Sequence, residues 1–167
     1  MDKFKIYTDG SCDNIQYPNY GGWAYLILEN DEIIEQRSGW DIHTTNNRME
    51  MIAILESLLE LPYGSEVEII TDSQYCIGAF SGAYKAKANT DLIEQFAKNV
   101  EQKNLDVTFT WVRGHNGDKY NEKLIKWLTM NMRKSAVRKL RISTELKPTR
   151  NTKKKCSKIA RLMNEIK

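Results

Sequence analysis

The stretch Thr44-Thr45-Asn46-Asn47-Arg48-Met49-Glu50 leads straight into an apolar run that Pro62 ends. Thr44 or Thr45 offers an N-cap, and residues 49–61 read as a helix apolar nearly all round, the kind that is buried against a sheet. The arrangement puts an acid, Glu50, in the first turns of that helix, behind a dense set of amide and hydroxyl groups. An acid there suits the helix dipole. Two consecutive Asn before it suit another task, hydrogen bonding to bases or sugars, whose edges offer donors and acceptors.

Upstream of that helix, residues 4–8 form a short β-prone run that stops at Asp9-Gly10-Ser11. Residues 13–22 are polar and hold Pro18, Gly21 and Gly22, which predicts a loop. Residues 23–28 give a second strand, Asn30-Asp31 a turn and residues 33–40 a third strand, together an antiparallel meander. Downstream, residues 67–71 give a fourth strand, again stopping at an Asp-Ser step, Asp72-Ser73. Helices are predicted over 74–80 and 91–102, a fifth strand over 107–112, and a last long helix over 121–140. A meander followed by alternating β and α units predicts an α/β fold, a mixed five-stranded sheet with helices on both faces.

Asp9 and Asp72 are each preceded by Thr and followed by Gly or Ser. In open α/β sheets, sites form in the crevice beyond the carboxyl ends of strands. Two carboxylates at neighbouring strand ends repel unless a cation lies between them, and Mg²⁺ is a hard cation satisfied by a few carboxylates and water. An Asp before Gly or Ser is also ordinary turn chemistry.

The 167 residues, 41% hydrophobic, suit one globular domain. No apolar run approaches the roughly 18 residues that would span a membrane, and residues 1–6 show no apolar signal-peptide region. The expectation is a cytoplasmic protein. Cys12, Cys76 and Cys156 are widely spaced and odd in number, as reduced thiols are. Residues 133–167 hold 13 of the 25 Lys/Arg and 2 of the 22 Asp/Glu, a charge of +11, which leaves −8 on the first 132. An acidic body with a basic tail suggests that the tail meets a polyanion; the alternative is a solvated extension.

Four segments together, Tyr7-Thr8-Asp9-Gly10-Ser11-Cys12, Thr44 to Glu50, Thr71-Asp72-Ser73-Gln74-Tyr75 and Trp111-Val112-Arg113-Gly114-His115-Asn116-Gly117, resemble motifs of the type 1 ribonuclease H family. They stand in the family's order and at compatible spacing, over roughly residues 3–135. The resemblance implies a ribonuclease H domain over residues 1–140 and a basic C-terminal extension over 141–167. It implies that Asp9, Glu50 and Asp72 hold two Mg²⁺ ions, with Mn²⁺ as a substitute. The implied reaction is cleavage of the RNA strand of an RNA/DNA hybrid, leaving a 3′-hydroxyl and a 5′-phosphate. His115 matches the family's loop histidine, which helps proton movement or product release. Cys12, Asn46, Asn47 and Gln74 match positions that touch the hybrid's minor groove, and Thr45 one that contacts DNA phosphate.

The chain also departs from the family. A fourth acid, ten residues after the loop histidine, is replaced by Ile125, and Ile125, Leu128 and Met132 make an apolar stripe at helical spacing. Glu122, one turn earlier, matches an acid that the family carries beside the fourth ligand. The segment 81–89 is short and holds only Lys85 and Lys87, where many relatives carry a basic protrusion. The loop 13–20 differs from the family's Gly- and Pro-rich turn, and the four Trp read mostly as core. The alternative to an enzyme is a ribonuclease H-like module that binds nucleic acid or protein with weak or no catalysis. The partners expected are an RNA/DNA hybrid and, for the tail, nucleic acid or an acidic partner, with the chain a monomer or part of a larger assembly and no membrane involved.

Overall fold

The computed structural model describes residues 2–13, 15, 19–83, 85–114, 119–124 and 126–128. Its elements are β1 (Lys3–Asp13), β2 (Tyr20–Glu29), β3 (Glu32–Ile42), α1 (Asn46–Leu59), β4 (Glu66–Thr71), α2 (Gln74–Phe80), α3 (Thr90–Lys103) and β5 (Asp106–Trp111). Residues 119–124 and 126–128 are helical as well. The five strands form one sheet in the order β3-β2-β1-β4-β5, antiparallel across the meander and parallel from β1 to β4 and β5. The expected mixed five-stranded sheet and the order of its elements are borne out.

Period-two alternation divides the apolar residues between two cores. Phe4, Ile6, Tyr25, Ile27, Val67 and Ile69 meet Met51, Ile54, Leu55 and Leu58 of α1 on one face. Tyr7, Ala24, Leu26, Leu28 and Ile70 meet Leu124 and Leu128 on the other. Helices therefore cover both faces. The Asn30-Asp31 turn holds both residues at positive φ, 51° and 63°, the type I′ signature that matches the twist of a hairpin.

Three expectations need correction. β1 does not stop at Asp9-Gly10-Ser11; it runs on to Asp13, paired with β2 as far as Asp13↔Tyr20. β2 accordingly begins at Tyr20, inside the segment expected to be a loop. Trp40 and Trp111 are not core: they are 53% and 49% exposed, on the edge strand β3 and at the end of the edge strand β5.

The N-cap of α1 is Thr45, whose side chain accepts from Arg48 N. One turn in, the Arg48 guanidinium donates to both carboxylate oxygens of Asp91, at 3.1 and 2.9 Å, and to Asn89 Oδ1 at 3.2 Å. Asn89 Nδ2 in turn donates to the Tyr75 hydroxyl at 3.0 Å. The start of α1 is thereby tied to α2 and to the start of α3. Arg48→Ala is expected to cost about 1 kcal/mol, the upper end for a bidentate pair with one exposed partner, read as a lower urea midpoint with an unchanged m-value.

Candidate active site

β1 and β4 run parallel from Lys3↔Glu66 to Tyr7↔Ile70. The same register, continued two residues, sets Asp9 level with Asp72, the residue just past the end of β4. Asp9 lies inside β1, held by its pairing with Ala24 of β2, but beyond the last residue of β1 that β4 pairs. The sequence placed Asp9 at a strand's end; the structure places it where the parallel neighbour has ended, which opens the same crevice.

Gly10 brings the third acid in. A Cβ on Gly10 would run into the backbone of Met49 and Glu50, and would stand 2.7 Å from Glu50 Cα. Only a residue without a side chain lets the first turns of α1 lie on β1 at this point. Gly114, two residues past Val112, lies close to the Asp72 side chain: a Cβ there would meet Asp72 Oδ2 at 2.5 Å. The Trp111 indole donates to the Asp72 carbonyl at 3.2 Å, and Val112 N to the Thr71 carbonyl at 3.1 Å, which fixes the end of β4 against the end of β5.

The three carboxylates feel one another. Burial, then the charges of Asp72 and Glu50, push the Asp9 carboxyl up to about 7. Burial also raises Glu50, against a hydrogen bond from the Ser73 side chain and with Asp72 adding to the rise. Among the described residues no three His, Cys, Asp or Glu side chains stand close enough to hold one ion as placed. Asp9, Glu50 and Asp72 are thus a loose acidic group and not a finished ligand cage. Their donors are all carboxylate oxygens, the kind that a hard divalent ion takes, with water completing its shell.

Around the acids lies a polar rim. Asn46 Oδ1 accepts from Cys12 N, while Asn19 Nδ2 donates to the Thr44 carbonyl at 2.6 Å and to Cys12 Sγ at 3.4 Å. Cys12 Sγ also donates to the Thr44 carbonyl at 3.4 Å. Cys12, Thr44 and Asn46 are therefore one cluster joining the far end of β1 to the start of α1. With its oxygen engaged, the Asn46 amide presents its N–H donors outward. Thr45, Asn46, Asn47 and Gln74 are exposed, and Cys12 is half-buried. Asn19 was set aside by its sequence, as part of a loop that departs from the family's turn; its hydrogen bonds and the pairing Asp13↔Tyr20 place it beside Cys12. Cys12 and Cys76 are both free thiols, as expected. His115, Ile125, Cys156 and the extension 141–167 lie outside the described residues. No helix among the described residues is long and apolar enough to cross a membrane.

Comparison with known proteins gives this arrangement a context. Residues 1–126 match the family model described as RNase H. The chain is similar to proteins called ribonuclease H from Campylobacter jejuni (39% identical over 131 residues, 74% of this chain and 86% of the relative), from Janthinobacterium sp. (37% over 134 residues, 74% and 91%) and from Roseobacter denitrificans (34% over 142 residues, 74% and 91%).

Proposed function

Because the chain belongs to the ribonuclease H family, we propose that it hydrolyses the RNA strand of RNA/DNA hybrids in a metal-dependent reaction, with Asp9, Glu50 and Asp72 as the metal-holding acids. The observation that carries the reading is the meeting of Asp9 of β1, Glu50 of α1 and Asp72 past the end of β4, where burial first, and then the charges of Asp72 and Glu50, lift the Asp9 carboxyl to about 7. Such a group is short of positive charge, and its all-oxygen donors fit hard divalent ions, Mg²⁺ first and Mn²⁺ as substitute. When bound, two ions would lower the pKa of the attacking water and neutralise the leaving oxygen.

The chain's own residues do the rest. The outward amide donors of Asn46, with Asn47, Gln74 and Cys12, line the rim where a minor groove would lie, and the 2′-hydroxyl there marks the RNA strand. Thr45 would contact a phosphate of the DNA strand. His115 would move a proton at, or help release, the cleaved phosphate. The products are a 3′-hydroxyl and a 5′-phosphate.

An end-labelled hybrid incubated with Mg²⁺, and separately with Mn²⁺, tests the reading: the RNA strand should be cut internally and the DNA strand left whole. Tight hybrid binding with no cut in either ion would overturn it in favour of a binding module. That second reading has one specific observation behind it, Ile125 in place of the family's fourth acid. Ile125→Asp is accordingly expected to raise cleavage at limiting Mg²⁺ roughly tenfold, equivalent to about 1.4 kcal/mol of transition-state stabilisation. The check is a Mg²⁺ titration of parent and variant, after circular dichroism has shown the variant folded, because a carboxylate set in the apolar stripe of the sequence at 125, 128 and 132 would oppose folding.

The basic extension 141–167 adds affinity without sequence preference. Truncation after Arg141 should weaken hybrid binding and flatten its salt dependence, by about one unit of log–log slope for each phosphate that the extension neutralises. Equal slopes in the two proteins would assign the extension to an acidic partner instead.

A further inference from the structure

The acid on α1 is approached from α2 by a buried thiol. Cys76 is on the first turn of α2, is 0% exposed and belongs to the core that joins α1 to the sheet. Its Sγ donates to Glu50 Oε2 at 3.9 Å, a contact near the outer limit of a thiol hydrogen bond. Its backbone N–H donates to Ser73 Oγ at 3.3 Å, the N-cap of α2, and the same Ser73 side chain hydrogen-bonds the Glu50 carboxylate. One turn of α2 therefore turns two donors, a hydroxyl and a thiol, toward one carboxylate of the neighbouring helix.

We infer that Cys76 is a positioning residue for Glu50: its thiol, locked by core packing, holds the Glu50 carboxylate toward Asp9 and Asp72, and so sets how tightly the acidic group takes a divalent ion. The inference rests on the proposed metal-holding role of Glu50. A Glu side chain has three rotatable bonds, and in the presence of two other acids its carboxylate gains by swinging away from them. Something must oppose that swing. Ser73 supplies one hydrogen bond, from a hydroxyl already engaged in capping α2. Cys76 supplies the other from a side chain whose full burial leaves it little freedom to turn elsewhere. The thiol is also a weak, neutral donor. It can restrain the carboxylate without competing for its charge, as a Lys or Arg at the same place would.

The test compares the parent with Cys76→Ala and Cys76→Ser by calorimetric titration with Mn²⁺ alone, without substrate. Ala removes the donor with little loss of volume, and Ser restores an O–H donor on a shorter bond, which the Glu50 carboxylate must move in to meet. Mn²⁺ affinity is expected to fall about tenfold in Cys76→Ala and to recover to within about threefold of the parent in Cys76→Ser. Hybrid cleavage should follow the same order: the Mn²⁺ concentration for half-maximal rate rises in Cys76→Ala, while KM for hybrid and the urea m-value stay put. A Cys76→Ala protein that is folded and binds Mn²⁺ as the parent does would overturn the inference. So would a Cys76→Ser protein as weak as Cys76→Ala, because the loss would then be one of packing. Should Cys76→Ala fail to fold, Cys76→Val keeps the core filled and is read in the same way. Whether the parent cuts hybrid is decided in its own assay, so failure of the functional reading is distinguishable from failure of this one.

Discussion

Asp9→Asn is expected to abolish hybrid cleavage, by at least about 10³-fold, while leaving the protein folded and, without metal, more stable than the parent. The rate loss follows from charge: the amide keeps the shape of the side chain but removes one of the acids proposed to hold the ions, and two-ion stabilisation is worth several kcal/mol, each 1.36 kcal/mol being about tenfold in rate. The stability gain follows from the raised Asp9 carboxyl. In the unfolded chain an Asp titrates near its reference of about 3.9, whereas in the folded protein this one titrates at about 7. Between those values the folded state holds a proton that the unfolded state has lost. The stability conferred by that proton is complete below the lower value and is lost as pH rises through the upper one. At pH 8 the metal-free parent should therefore be strained, by up to about 4 kcal/mol on the linkage relation, and Asp9→Asn should not. Thermal unfolding at pH 5 and pH 8, with and without Mg²⁺, checks both statements. The parent's midpoint should drop between the two pH values and recover with the ion, and the variant's should respond less to either. A variant that cuts hybrid at the parent's rate would remove Asp9 from the chemistry.

The second large effect is expected at Gly10. In Gly10→Ala a single methyl group would meet the backbone of Met49 and Glu50, and a main chain within a hydrogen-bonded helix cannot yield as a side chain can. Either α1 lifts off β1 or β1 bends. Overpacking of this kind costs about 3 kcal/mol or more. The displacement also falls on the close approach of α1 to β1 at Glu50, where a shift of about 1 Å is enough to lose roughly 10² in rate. Denaturant unfolding combined with cleavage rates corrected for the folded fraction separates the two losses. Gly114→Ala offers the contrast. The nearest atom to its Cβ would be Asp72 Oδ2, the far end of a side chain, so rate should suffer more than stability.

These glycines also show what the sequence did and did not disclose. The order of strands and helices was readable, because apolar alternation and a cap at Thr44 or Thr45 announce themselves locally; the structure settles that cap on Thr45 and adds Ser73 as the cap of α2. Asp-Gly-Ser and Tyr-Gly-Gly were read as punctuation, since Gly is the commonest turn residue. In the folded protein Gly10 and Gly21 lie within paired strands, and a Cβ on Gly21 would meet the side chains of Met49 and Thr44. They mark a close crossing of α1, a tertiary demand that local pattern cannot distinguish from a turn. The acids were legible as a set through their motifs, but their mutual influence arises from a register between residues far apart in the chain. The polar rim was legible in part: Asn46 and Cys12 came from motifs, whereas Asn19 entered only through the pairing of β1 with β2. The exposure of Trp40 and Trp111 depends on which strands became edges, and composition says nothing of that.

The β1–β4 register has a kinetic consequence. The hairpins of the meander close over short loops, whereas Tyr7 finds Ile70 only across a long stretch of chain. Contacts of high sequence separation are assembled slowly, since loop closure must precede their reward. Mutual repulsion of Asp9 and Asp72 is then a force met in the step that lays β4 alongside β1. Alkaline pH should slow refolding if that step belongs to the folding nucleus, and should hasten unfolding if it comes after. Chevron plots at pH 5 and pH 8 would show which limb moves, and so would time the birth of the acidic group along the folding path.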